Sequence, residues 1–348
     1  MKYYEKKSFN PGGIKDRYDS RDYQWEEVGG AAIETFNWDQ GFDIEKKLST
    51  LLKVKDQGPS FSCGGQSWGY LSEVLECLST GTYEPRSAKY LYAQTCIPSG
   101  GSRGRDNADI FVNQGVARED VLTSYQNGNP PSEAFMQRSI DITDPIRMNA
   151  KLSKASAYAQ VGTDMESVAT AIAVNSGCVI GVDGSNNGTW LSAFPQSPAV
   201  TQWRHWLYAG KAKLVNGKKY IGVINSWGID VGEGGWQWLS ESYFNKNVWS
   251  TWTHVFAPTL PQNFNHKFLK DLKYKMTTLD VAALQDALKI EGQFPAGVPS
   301  SGYYGMITAA AVLAFQTKYQ IIGSPIESES GKVVGPKTRV KLNSLFGN

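Results

Sequence analysis

The apolar period of the chain changes partway along its length, and that change limits the folds open to it. From Cys63 to Ser79 the apolar residues Trp68, Leu71, Val74, Leu75 and Leu78 recur at three and four, which predicts a helix with one buried face that opens on Cys63. A second helical stretch runs from Ser87 to about Cys96, followed by the loop Ser99-Gly100-Gly101 and a short helix near Asn107 to Asn113. Beyond the loop at Asn129-Pro130-Pro131 the pattern becomes β-rich, with short runs at Cys178 to Asp183, Trp206 to Val215, Tyr220 to Ile224 and Trp236 to Leu239. Asn216-Gly217 between two of these runs suits a two-residue hairpin turn. Helices first and an antiparallel sheet afterwards predict an α+β domain of two unlike halves, with a cleft between them as the natural site.

At 348 residues the chain is long enough for two or three domains. An arm over 1–45, rich in Gly, Asp, Tyr and Arg and without a regular period, precedes the α+β domain at 46–258. A lysine-rich linker at 259–275 then leads to a small helical domain at 276–348. Hydrophobic residues at 41% and charged residues at 20% exclude a disordered or collagen-like chain. A net charge of +2, evenly spread, argues against nucleic acid as the main partner. The most apolar run, Val168 to Val182, is too short for a bilayer and is broken by Asn175-Ser176-Gly177, so no membrane span is expected. The start, Met1 to Asn10, carries charges where a signal peptide needs an apolar stretch, which predicts synthesis in the cytoplasm. Only 62 residues precede Cys63, so activation from a large zymogen is not expected.

Cysteine nucleophiles need a base, a group that orients the base, and donors for the oxyanion. The chain has three histidines, and His205 alone lies within the β half, with His254 at the end of a Trp-rich strand and His266 in the linker. Cys63 at a helix N-terminus has its thiolate favoured by the helix dipole. Asn225 follows His205 by twenty residues, in Asn225-Ser226-Trp227-Gly228. Cys77, Cys96 and Cys178 read as buried apolar thiols, all reduced. Gly65-Gln66-Ser67-Trp68-Gly69 matches the serine-hydrolase elbow, but the strand that elbow requires is missing before it. No Cys or His pair has zinc-ligand spacing, and no metal or cofactor is implied.

The segment Gln57-Gly58-Pro59-Ser60-Phe61-Ser62-Cys63, with Tyr220 to Gly228 and Gly232-Glu233-Gly234-Gly235-Trp236, resembles the papain-like cysteine peptidases. That family places its histidine and asparagine about 130 to 150 residues after the cysteine. Here the separations are 142 for His205 and 162 for Asn225, the second lengthened by the hairpin at Asn216-Gly217. The resemblance implies a two-lobed fold, with Cys63 as nucleophile, His205 as general acid and base, Asn225 orienting the imidazole and Gln57 as an oxyanion donor. It implies further that Trp227 shields the His205 to Asn225 hydrogen bond, and that Gly100 and Gly101 form the glycine pair over which substrate is laid as a strand. Three positions depart from the family pattern: Gly64 stands for an aromatic residue, Ser60 for a half-cystine, and Arg204 precedes the histidine. The first is expected to loosen packing at the helix start.

Two related half-motifs occupy the C-terminal region, Gly302-Tyr303-Tyr304-Gly305-Met306-Ile307-Thr308 and Gly331-Lys332-Val333-Val334-Gly335-Pro336-Lys337-Thr338. Their glycines allow tight turns, and Thr308 and Thr338 can cap or stabilise helix starts. With Leu284-Gln285 they resemble the three-helix peptidoglycan-binding domain of wall hydrolases, which implies a contact surface for which Tyr303, Tyr304 and Arg339 are candidates. The expectation is therefore a cysteine endopeptidase acting at the bacterial cell wall after release or phage delivery. Its substrate would be wall peptide, as for an endolysin, or wall-associated protein. The alternative is a wall-binding protein on an inactive papain-like scaffold, motivated by Gly64 and Arg204.

Overall fold

The computed structural model describes residues 10–19, 22–25, 35–255, 264–295, 298 and 300–347, arranged as two compact units. The first unit takes 10–19 and 35–254, and the second takes 22–25 and 255 onward, so the N-terminal arm is divided between them. The part of the expected linker at 259–263 lies outside the described residues. From residue 264 the chain is already part of the second unit, with Phe268 and Leu272 buried there.

In the first unit, β1 (Gly13–Ile14), β2 (Phe42–Asp43) and α1 (Ile44–Leu48) precede the central helix α2 (Cys63–Thr80). Then come α3 (Ala88–Thr95), β3 (Ser102–Arg103), α4 (Gly104–Asn113), α5 (Glu133–Met136) and α6 (Asp144–Ala150). The β half contains β4 (Ala157–Gln160), α7 (Met165–Asn175), β5 (Cys178–Gly184), β6 (Trp203–Val215), β7 (Lys218–Ile224), β8 (Trp236–Ser240), α8 (Glu241–Asn247) and β9 (Val248–Val255). Its sheet has the order β4-β9-β5-β6-β7-β8, with β2 paired to β6. The β6 to β7 hairpin turns at Asn216-Gly217, both at positive φ, as its two-residue geometry requires. The apolar run at Val168 breaks where expected, with α7 ending at Asn175 and Gly177 at φ 142 leading into β5.

Packing departs from the sequence reading at α2. The periodicity implied one buried face, yet every residue from Cys63 to Val74 is buried, and Leu78 at the far end is exposed. The small residues that read as a polar face let neighbours approach: a Cβ on Gly65 would stand 2.6 Å from the Ala88 carbonyl oxygen. The helix is thus enclosed between α3 and the sheet, where Trp68, Leu71 and Val74 share a core with Val179, Trp206, Tyr208, Ile224 and Trp252. That enclosure fixes the Cys63 end of α2 against β6, the strand that carries His205.

The second unit holds the short ribbon β10 (Leu272–Lys273) and β11 (Val333–Val334) with three helices, α9 (Leu279–Ile290), α10 (Met306–Lys318) and α11 (Pro336–Phe346). Val281, Leu284, Leu288, Val312, Phe315 and Leu342 form its core. The internal repeat is a repeat of hydrogen bonds. Gln285 Nε2 donates to Thr308 Oγ1 and the Tyr303 carbonyl, and Gln316 Nε2 donates to Thr338 Oγ1 and the Val333 carbonyl. Thr308 and Thr338 sit inside their helices rather than at the caps, which are Gly305 and Gly335, so they stabilise the starts by accepting a glutamine amide.

Candidate active site

Cys63 is the first residue of α2 and is fully buried. The amide of Trp206, one residue past His205 on β6, donates to its sulfur, which places the strand carrying the imidazole directly against Cys63. His205 Nε2 lies 2.9 Å from Asn225 Oδ1. Asn225 Nδ2 donates to Gln237 Oε1 at 2.8 Å, and the Ser226 amide donates to Asn225 Oδ1 at 2.8 Å. Those two bonds fix the Asn225 amide with its oxygen toward the imidazole. His205 must therefore carry its proton on Nε2, which leaves the Nδ1 lone pair, with no hydrogen-bond partner among the described residues, free to accept the thiol proton.

Gln237 is the residue that sequence reasoning missed. It is fully buried on β8, and its Nε2 donates to the carbonyls of Trp190 and Ser192 at 2.8 and 3.0 Å, so its own orientation is fixed too. The available signal was a glutamine between two tryptophans in an apolar strand. Gln237→Leu is expected to free the Asn225 amide to turn and to lower kcat by up to roughly 100-fold with KM little changed, since small misplacements of a catalytic group cost that much. Steady-state kinetics on a peptide substrate separate the two constants.

Trp227 stacks on the imidazole, with ring centroids 4.6 Å apart and planes tilted by 34°. It keeps water from the His205 to Asn225 bond and so strengthens it. Gln57 is buried, its Oε1 accepting from Ser226 Oγ at 2.6 Å, which leaves Nε2 to donate to the Ser60 carbonyl and toward the cleft. Gly64 does not loosen the helix start as expected: a Cβ there would stand 2.3 Å from Ser102 Oγ and 3.5 Å from the Trp206 ring, which occupy that space. Arg204 points away from the chemistry and pairs with Asp183 at 3.1 Å. All four cysteines are free thiols.

The cleft is filled by the chain's own segment 10–14. The Gly12 N–H donates to Cys63 Sγ at 3.3 Å, and Gln57 Nε2 donates to the Asn10 carbonyl at 3.0 Å. Ser102 N–H donates to the Gly12 carbonyl at 3.0 Å, and β1 pairs in parallel with β3. Gly100 and Gly101, at φ 87 and 85, make room rather than bonds: a Cβ on Gly101 would stand 2.5 Å from the Gly12 carbonyl oxygen. Asp16 anchors the segment, accepting from the Arg105 amide and Trp252 Nε1, each at 3.0 Å. The sulfur thus faces an N–H rather than an electrophilic carbonyl carbon, a geometry in which the segment covers Cys63 without offering it a carbon to attack. Burial pushes the Cys63 thiol up to about 11 and His205 down to about 4, so both are neutral in this state.

Of the remaining sequence candidates, which belong to the second unit, Tyr304 is buried with its hydroxyl on the Gly331 carbonyl, so it pins a loop instead of offering a surface. Arg339 is tied to Asp271 and to the Leu269 carbonyl. Tyr303 is half-buried, and its carbonyl takes the Gln285 amide.

Neither the protein-family models nor the curated proteins give a match to this chain. Solved structures do. Xylellain, a cysteine protease from Xylella fastidiosa, is 20% identical with a TM-score of 0.59, over 70% of this chain and 95% of that one. The proform of the ragweed pollen cysteine protease Amb a 11 is 18% identical with a TM-score of 0.53, over 70% and 73%. Digestive procathepsin L 3 of Tenebrio molitor larval midgut is 18% identical with a TM-score of 0.51, over 67% and 75%. The fold is therefore that of the papain-like cysteine proteases, helices and antiparallel sheet as expected.

Proposed function

We propose that this chain is a cysteine endopeptidase, held latent by its own segment 10–14 and directed to the bacterial cell wall by its second unit. The hydrogen-bond chain from Gln237 through Asn225 to His205, on the strand whose Trp206 amide donates to the Cys63 sulfur, carries the peptidase reading. With the segment displaced, His205 Nδ1 takes the Cys63 proton and the thiolate attacks the substrate carbonyl carbon. The oxyanion accepts from Gln57 Nε2 and the Cys63 amide. The His205 imidazolium then gives its proton to the leaving amine as the C–N bond breaks, leaving a thioester. Water, deprotonated by His205, attacks the thioester, releases the acid and restores the thiol.

Support for the wall is of a different kind: the doubled Gln-to-Thr motif of the second unit and its resemblance to peptidoglycan-binding domains. Tethering would raise the local concentration of cleavable bonds without a new catalytic contact. The substrate on this reading is wall peptide or wall-associated protein, reached after release by lysis or delivery in a phage particle. Incubating the protein carrying Gly12→Val, in which added bulk displaces the covering segment, with and without Cys63→Ala, with purified peptidoglycan and with an unfolded protein, and following new amino termini by mass spectrometry, tests it. New termini from sacculi that vanish in Cys63→Ala are the expected result. Cleavage of unfolded protein alone would leave the second unit as an anchor, and failure to sediment with sacculi would remove the wall altogether.

A further inference from the structure

The slot that crosses Cys63 is walled by main chain. A Cβ on Gly12 would stand 1.9 Å from the Phe61 carbonyl oxygen and 2.6 Å from its carbon. On the other side, a Cβ on Gly13 would stand 2.8 Å from both the Arg204 carbonyl carbon and the His205 nitrogen. Neither glycine uses a left-handed φ, so an L-residue could adopt the backbone, and space alone excludes it. No rotamer change relieves these contacts, because Phe61 leads directly into α2 and Arg204-His205 lie within β6. Overhead, a Cβ on Gly101 would stand 2.5 Å from the Gly12 carbonyl oxygen, so that wall too admits no side chain. Trp206, whose amide donates to Cys63, packs edge to face on Trp249 with centroids 4.6 Å apart.

A substrate strand of either direction that bonds to the Ser102 amide and passes the sulfur has to use this same gap. From this we infer that the enzyme selects diglycine-containing peptides, with two consecutive glycines lying across Cys63. The inference rests on the peptidase reading above and names its substrate class. Gly12-Gly13 is then an internal copy of the selected sequence, presented with an N–H at the sulfur instead of a carbonyl.

The test uses full-length protein carrying Gly12→Val, and in parallel Asp16→Ala, which unties the segment without adding bulk. Each is given quenched peptides that differ only in Gly-Gly, Gly-Ala, Ala-Gly or Ala-Ala at one central pair. Because one methyl group against a rigid wall changes discrimination by roughly 10- to 200-fold, kcat/KM is expected to fall by that factor for each alanine. Equal hydrolysis of all four peptides overturns the inference and leaves the peptidase standing. Hydrolysis of none, while iodoacetamide still labels Cys63, overturns both.

Discussion

Gly12→Val in the full-length chain is expected to uncover Cys63, raising its alkylation by iodoacetamide at neutral pH and switching on peptide hydrolysis. The segment is held by a small set of bonds: Gln57 to the Asn10 carbonyl, Gly12 to Cys63, Ser102 to the Gly12 carbonyl, and Asp16 to Arg105 and Trp252. Against these, valine at 12 drives a side chain into the Phe61 carbonyl, where even a single Cβ would stand 1.9 Å away. Overpacking of this kind costs about 1–3 kcal/mol. At about 1.4 kcal/mol per tenfold, the uncovered fraction rises roughly 5- to 150-fold. The fold itself is expected to hold, because Gly12 belongs to none of the core clusters and touches the domain only along the cleft. Unchanged labelling of Cys63 in this variant, with the protein folded by circular dichroism, would mean that the segment is not what protects the thiol.

Much of the candidate site was legible because the proposed chemistry restricts residue types. With three histidines in the chain the search was short, although His254, read as lying at a strand end, is buried within β9 of the same half as His205; Gln57, Cys63 and Asn225 followed from segments of recognisable spacing. The cover over the site was not legible. Pro11-Gly12-Gly13 reads as part of an extended arm with nothing to say where it lies, because a two-residue parallel pairing leaves no periodic trace and its partners Phe61, Ser102 and Arg204 are remote in sequence. The same blindness applies to Gly64, which reads as loosening the start of α2 and instead admits Ser102 and Trp206. In the second unit Tyr304 follows a glycine turn and looked available, whereas burial of its ring under the Gly331 loop is a tertiary fact. Elements with strong periods, α2 and the strands β5 to β8, came within a few residues of their observed ends. Short ones such as β2, α5 and α8 are set by what they pack against.

The pH dependence of Cys63 reactivity is expected to separate the covered from the uncovered enzyme, and His205→Gln to abolish hydrolysis in the latter. In the covered state burial raises the thiol to about 11, although the Trp206, Gly12 and Gly64 amides oppose the shift. A thiol that binds its proton more tightly when covered supports the covered state below its ordinary value of about 8.5, and that support is lost as pH rises toward about 11. His205 has the opposite sign: burial lowers it to about 4 against the Asn225 hydrogen bond, so its support is present above about 6.5 and lost as pH falls toward about 4. Asp16, raised by burial despite its bonds from Arg105 and Trp252, holds the segment more firmly on protonation and blunts the acid loss. Cover is therefore tightest between about 6.5 and 8.5, and wild-type alkylation should be slowest there and climb toward about 11. In Gly12→Val the helix N-terminus and the imidazolium stabilise the thiolate, and the alkylation midpoint should fall below about 8.5. Adding His205→Gln should raise that midpoint back toward about 8.5, the helix N-terminus alone remaining, while hydrolysis drops by roughly 10^4- to 10^6-fold, the usual cost of removing one member of a catalytic unit. A merely structural loss would not leave an alkylatable thiol with an ordinary titration, and hydrolysis that survives His205→Gln would show that another group carries the proton.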